Sequence, residues 1–375
     1  MEVFLDSLRK EEQVTLNLRR LYEQFGYKKY RMGKFEEYAL YIENKNFLQS
    51  EAIITFNDLE GKLLALKPDV TLSIVKHTNA TRKSAEKVYY TENIYRLSKR
   101  NHEYKEISQM GLEFIGDLDP YAMIEVIGLA LSSLNTISPQ FLLDISHMGF
   151  VTGLFDSLGT EYHVQEQLLS CIRSKNLHEL RSIAAQAGIS DFYRDKLEKI
   201  TLLYGDFEQT LDAAQEIVLN DQMQNAVSEL RALFEALKNT EFADNIRLDF
   251  SIINDVNYYN GIIFRGYVEN VPRAVLAGGR YDNLMKRFNK DVGAIGFALY
   301  LDELGRTYKN TLQYDVDALI LYDEGADYAA LFAAVSKLTQ DGMRVRAEKE
   351  IPADLRAKQT LRFANGTLEE VQNNA

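Results

Sequence analysis

The chain holds a single cysteine, Cys171, in 375 residues. That excludes a disulfide framework and a thiolate zinc site, and it fits a reducing, cytoplasmic setting. The five histidines (His77, His102, His147, His163, His178) are scattered, with no two at metal-ligand spacing. Each reads as a surface or core residue, and neither a metal nor another cofactor is expected. Basic residues are in deficit: 43 Lys and Arg stand against 55 Asp and Glu, for a net charge of -12. A dedicated nucleic-acid binder usually shows a basic footprint instead. No apolar run approaches the roughly 18 residues that span a bilayer. The first residues, MEVFLDSLRKEEQ, are charged and amphipathic, unlike a signal peptide, so no membrane association is expected. Also missing are a G-x-x-x-x-G-K phosphate loop, G-x-G-x-x-G, H-E-x-x-H and G-x-S-x-G. Internal repeats and low-complexity tracts are absent too.

What is present is an α+β pattern. Hydrophobic residues make up 46% of the chain and aromatics 11%, enough for a sizeable core, and the length suggests two or three domains. Residues 3–26 have helical spacing through Val14, Leu18, Leu21 and Phe25, with Gly26 as a stop. A strand is expected at KLLALKP, then a helix from Asp69, a cap candidate beside Pro68. From Phe155 to Thr240 there is no proline, and apolar residues recur at spacings of three and four. That segment reads as a helical bundle broken at Gly159, Gly188 and Gly205. Strands return at Ile246–Ile253 and Tyr258–Val268. Ala277-Gly278-Gly279-Arg280 reads as a small-residue turn, and Gly293–Phe297 as a strand leading into a helix from Ala298. Asp315 opens a β–α–β unit, after which one short strand and a polar tail are expected.

The segment Lys87–Gly116 reads as a long antiparallel hairpin, rich in Tyr, Val and Ile in its first strand. Strand side chains alternate faces. In the second strand Ser108, Met110, Leu112 and Phe114 share one face, while Ile107, Gln109, Gly111 and Glu113 share the other. Two readings of the second face stand: a surface open to water, or the floor of a polar pocket in which Gln109 and Glu113 grip a ligand with hydrogen-bond donors.

Four collinear segments resemble the catalytic core of the histidyl-tRNA synthetase family, a class II aminoacyl-tRNA synthetase family. They are Leu66-Lys67-Pro68-Asp69-Val70-Thr71, the hairpin with Gln109 and Glu113, Asn257-Tyr258-Tyr259-Asn260 with Ala277-Gly278-Gly279-Arg280-Tyr281-Asp282, and Gly293-Ala294-Ile295-Gly296-Phe297-Ala298. The resemblance implies a class II antiparallel sheet flanked by helices over 1–312, with a helical insertion at about 155–240. It implies a shortened anticodon-binding-like α/β unit over 313–375. In the family's histidine pocket, Asp69, Thr71 and Gln109 would hold the α-amino group. Glu113 and Tyr259 would meet the imidazole, with Tyr258 beside them.

The departures from the family lie on the phosphate side. Tyr90 stands at the motif 2 arginine, Glu303 at the motif 3 arginine, and Asn254 at the family's further catalytic arginine. Glu103 and Lys105 align with two phosphate-contacting arginines of the hairpin loop, and Gly33 with the motif 1 proline. One preorganised donor to developing charge is worth about 2.7–4 kcal/mol, so losing two or three implies no adenylation.

A synthetase core that keeps its histidine contacts and lacks its adenylation arginines resembles the regulatory subunits of ATP phosphoribosyltransferase. This implies a non-catalytic chain that dimerises and joins a short-form catalytic subunit in the first step of histidine biosynthesis. It would activate that subunit and mediate feedback inhibition by histidine. Recognition of tRNA is not expected. The alternative is a divergent active histidyl-tRNA synthetase in which Arg265 or Arg306 replaces the lost cations; an amino-acid sensor or tRNA-mimicry module is a third reading.

Overall fold

The structure is a computed structural model, and it describes residues 8–45, 48, 53–97, 102–254, 258–307 and 314–371. Two compact units separate, one spanning Leu8–Tyr308 and the other in the C-terminal region.

The larger unit opens with α1 (Lys10–Gln24), whose buried stripe is Val14, Leu18 and Tyr22 at intervals of four. Gly26, at φ +82°, ends it in the left-handed region that glycine favours. Short elements follow: β1 (Lys28–Lys29), β2 (Phe35–Glu37), α2 (Tyr38–Glu43), β3 (Thr55–Asn57), β4 (Leu63–Leu66) and α3 (Thr71–His77). Strands β2, β4 and β3 make a small antiparallel sheet. The Asp69 carboxylate accepts from the Leu72 amide at 2.9 Å, so it serves the start of α3 as the sequence suggests.

The expected hairpin forms from β5 (Glu86–Leu97) and β6 (Tyr104–Gly116), in register from Glu86 opposite Ile115 to Leu97 opposite Tyr104. Next comes α4 (Pro120–Ile137), with Asp119 capping the Ala122 amide and proline in the first turn. Among the described residues it is the one helix long and apolar enough to cross a membrane by length and composition. It is instead a core helix. Leu134 packs against Gly266 on the sheet, and the buried Glu125 accepts from Tyr27 and Lys87.

After β7 (Phe141–His147) come α5 (Met148–Leu158), α6 (Tyr162–Arg173), α7 (Leu177–Gln186), α8 (Asp191–Leu202), β8 (Tyr204–Asp206), α9 (Phe207–Gln215) and α10 (Asp221–Leu237). The core sequence resumes with β9 (Ile246–Asp249), β10 (Ile262–Val268), β11 (Leu276–Arg280), α11 (Asp282–Arg287), β12 (Gly293–Tyr300) and α12 (Leu301–Thr307). Nine strands form one sheet in the order β1-β5-β6-β12-β11-β10-β7-β9-β8. It is antiparallel except at β1–β5 and β7–β9.

Two sequence expectations need correction here. Ala277-Gly278-Gly279-Arg280 is no turn but the body of β11, paired on both sides. The glycines answer to crowding in the sheet. A Cβ on Gly278 would lie 2.4 Å from the Gly296 carbonyl oxygen, and one on Gly279 would lie 2.7 Å from Tyr259. Strand β12 also runs on to Tyr300, so its helix starts at Leu301 rather than Ala298.

The C-terminal unit comprises β13 (Val316–Tyr322), α13 (Tyr328–Gln340), β14 (Val345–Glu348), β15 (Ala357–Ala364) and β16 (Thr367–Glu370). Its sheet order is β14-β13-β15-β16, with Ile320, Leu331 and Phe363 at its centre. Two strands follow β14 where one was expected. The polar residues of β15 and β16 sit on a half-exposed ladder that leaves little hydrophobic pattern.

Candidate functional site

The second face of β6 is not open to water: Gln109 is 3% and Glu113 2% exposed. Both line a cavity of about 180 Å3 on the sheet, together with Asp69, Thr71, Tyr90, Arg96, Asn254, Tyr258, Tyr259, Tyr281 and Tyr300. The strand register explains the space. Glu113 on β6 lies opposite Gly296 on β12, which lies opposite Gly279 on β11. A Cβ on Gly296 would fall 1.8 Å from Glu113 Oε2. The next pocket-face row runs Tyr90, Gly111, Ala298, Ala277, and the Tyr90 hydroxyl lies 2.5 Å from where a Gly111 Cβ would be.

Glu113 is the centre of this cavity. Thr71 Oγ1 donates to one carboxylate oxygen at 2.8 Å, and the Tyr281 hydroxyl donates to the other at 2.5 Å. Burial pushes its carboxyl up to about 8; those two bonds oppose the rise and the Asp69 charge adds to it. Burial also raises Asp69, against the pull of Arg96 and the backbone amides of Leu72 and Thr71. Arg96 donates through Nε to the Pro68 carbonyl at 2.7 Å and stands 3.5 Å from Asp69 Oδ2. Tyr258 packs against Tyr259 and Tyr281, with ring centroids 4.5 and 5.9 Å away. The buried Gln109 side chain also lines the cavity.

All six residues that the resemblance assigned to a ligand therefore share one cavity. Of the three positions where it assigned lost arginines, Tyr90 and Asn254 line the cavity as well. Asn254 accepts from Arg265 at 3.3 Å, which brings a guanidinium to the rim. Glu303 is not among the lining residues and stands 3.7 Å from Arg273. Asn257 and the side chain of Arg306 lie outside the described residues. Sequence reasoning overlooked Arg96 and Tyr281. Arg96 had a signal, since its even spacing from Tyr90 puts both on one face of β5. Tyr281 stood in a quoted motif, but nothing in the motif aims its hydroxyl at Glu113.

Hairpin, mainly antiparallel sheet and cavity together define the catalytic-core fold of the class II aminoacyl-tRNA synthetases. The family model for histidyl-tRNA synthetase matches residues 2–304. The ATP phosphoribosyltransferase regulatory subunit of Oceanobacillus iheyensis is 32% identical over 304 residues, which cover 80% of this chain and 75% of the relative. The chain belongs to the histidyl-tRNA synthetase family, in its branch of ATP phosphoribosyltransferase regulatory subunits. Two solved structures share the fold. An ATP phosphoribosyltransferase regulatory subunit/histidyl-tRNA synthetase from Bacillus halodurans C matches with a TM-score of 0.76 at 22% identity, over 90% of this chain and 88% of that one. A chain of the ATP phosphoribosyl transferase (HisG:HisZ) complex from Thermotoga maritima matches at 0.61 and 20% identity, over 78% and 97%.

Proposed function

We propose that this chain is a non-catalytic regulatory subunit of ATP phosphoribosyltransferase, which acts in the first step of histidine biosynthesis. It activates a short-form catalytic subunit and, by binding histidine in the cavity, transmits feedback inhibition. The supporting observation is the chemistry of that cavity. Asp69, Thr71, Gln109, Glu113, Tyr258 and Tyr259 offer acceptors and aromatic walls to a small ligand with several N–H donors. Tyr90 and Asn254 bring no cation to a phosphate. The volume of about 180 Å3 falls below the ~300–1,000 Å3 of pockets for drug-sized ligands. It suits an amino acid better than an amino acid with a nucleotide.

The partner is inferred from the family and from the Thermotoga maritima complex. Histidine inhibits by binding one state of the assembly better than another, since equal affinity shifts nothing. The chain forms a dimer within a cytoplasmic hetero-oligomer and binds no tRNA. Its C-terminal region, 313–375, is an anticodon-binding-like α/β unit that follows the 1–312 core.

Purified chain alone should show no histidine-dependent pyrophosphate exchange, yet stimulate a short-form phosphoribosyltransferase and make it histidine-sensitive. Vigorous exchange would overturn the non-catalytic reading, and failure to copurify with that subunit would overturn the partner. The second reading, an active divergent histidyl-tRNA synthetase, draws on Arg265, whose guanidinium reaches Asn254 at the cavity rim. ATP binding by the isolated chain would favour it.

A further inference from the structure

We infer that Arg96 holds the carboxylate of the amino acid in the cavity and so separates histidine from imidazole amines that lack that group. This rests on the reading of the cavity as a histidine site. Among the described residues lining it, the charged ones are Asp69, Glu113 and Arg96. Two acidic groups and one cation complement a ligand with two basic nitrogen centres and one carboxylate. Glu113 answers the imidazole and Asp69 the ammonium, which leaves Arg96 for the carboxylate.

Geometry leads to the same residue. An α-amino acid carries its ammonium and carboxylate on one carbon, so a site that takes the ammonium at Asp69 must receive the carboxylate beside it. Arg96 is the cation beside Asp69, its Nη2 3.5 Å from Oδ2. Its arm is anchored, with Nε donating to the Pro68 carbonyl, and its side chain is only 12% exposed. A guanidinium presents five N–H donors in a fixed fork, so one side chain can serve several acceptors. Bonds of this kind are charge-assisted and can be bidentate. Without such a cation, a ligand carboxylate would enter a buried space next to Asp69 with nothing to offset its charge. Arg96 and Tyr90 share one face of β5, so the strand carries a guanidinium at the amino-acid end and a phenol where the family has its arginine.

The test is calorimetric titration of the full chain and its Arg96→Gln variant with histidine and with histidinol, in which CH2OH replaces the carboxylate. The wild-type chain should prefer histidine by roughly a hundredfold, the loss typical when one partner of a buried charge pair goes. Arg96→Gln should weaken histidine by a similar factor and change histidinol by less than about threefold, and Arg96→Lys should recover part of the difference. Equal wild-type affinities for the two ligands would overturn the inference, even if no variant folded. So would an Arg96→Gln variant that weakens both ligands alike, because Arg96 would then only orient Asp69. No histidine binding by the wild-type chain would overturn the histidine reading and this inference with it.

Discussion

Histidine affinity is expected to peak between about pH 6.5 and about pH 8 and to fall on both sides. Burial holds the Glu113 carboxyl up at about 8, whereas an imidazole loses its proton near 6.5. Their contact needs one proton shared between two groups. Near neutrality the empty protein carries that proton on Glu113 and the free ligand carries none, so binding exchanges no proton with water. Below about 6.5 both groups are protonated and one proton must leave. Above about 8 neither is, and one must be taken up. Each limb costs affinity by up to about tenfold per pH unit. The charged neighbour facing Glu113 is Asp69. The phenols of Tyr90, Tyr258, Tyr259 and Tyr281 are all pushed above their ordinary value by burial, so they stay neutral throughout.

The sign for stability follows from the same shift. A carboxyl raised from 4.5 to about 8 stabilises the empty fold fully below 4.5, and that contribution is lost as pH rises towards 8. The assay is calorimetry at about pH 5.5, 7 and 9, in buffers of differing ionisation enthalpy, on the wild type and Glu113→Gln. Wild type should release close to one proton at the acid end and take one up at the alkaline end. Glu113→Gln should bind more weakly near neutrality and lose the limb at about 8, because no carboxylate is left there to take up a proton. Parallel pH profiles for the two proteins would refute the pairing of Glu113 with the imidazole.

Gly296→Ala should abolish histidine binding and cost at least the roughly 1–3 kcal/mol of an overpacked core, because its Cβ would meet Glu113 Oε2 at 1.8 Å and the Leu112 carbonyl at 2.4 Å. Thermal unfolding and titration check it, and a variant that melts and binds like wild type refutes the packed floor. Lys67 is 1% exposed and paired with Glu92, so Lys67→Met should cost roughly 3–5 kcal/mol by stranding a carboxylate. Denaturant unfolding should then show Glu92→Leu recovering most of that loss in the double variant; additive losses would mean the two side chains do not depend on each other.

The hairpin was legible because its signals are local. Alternation along 104–116 and the Tyr-rich run before it require nothing from the rest of the chain, and the observed register agrees with both. The same alternation put Gln109 and Glu113 on one face, but it could not say whether that face met water. That depended on β11, β12 and α3 covering it, which are contacts across 40 to 190 residues of sequence. Glycines misled for a related reason. In Ala277-Gly278-Gly279-Arg280 the local preference is for a turn, yet the tight approach of β12 and Tyr259 demands the missing side chains inside a strand. Composition cannot separate a glycine that bends the backbone from one that makes room.

Arg96 was overlooked through a different limit. Motif comparison asks what stands at a family position and found a phenol at Tyr90; it does not ask whether a cation has appeared elsewhere on the same strand face. Charge complementarity belongs to the whole cavity, so a missing guanidinium at one position is read correctly only after every lining side chain is known. Among the described residues lining the cavity, the one basic side chain is Arg96, which stands 3.5 Å from Asp69. A site that had merely decayed would have no reason to keep a buried guanidinium there, next to two carboxylates that still face a common space.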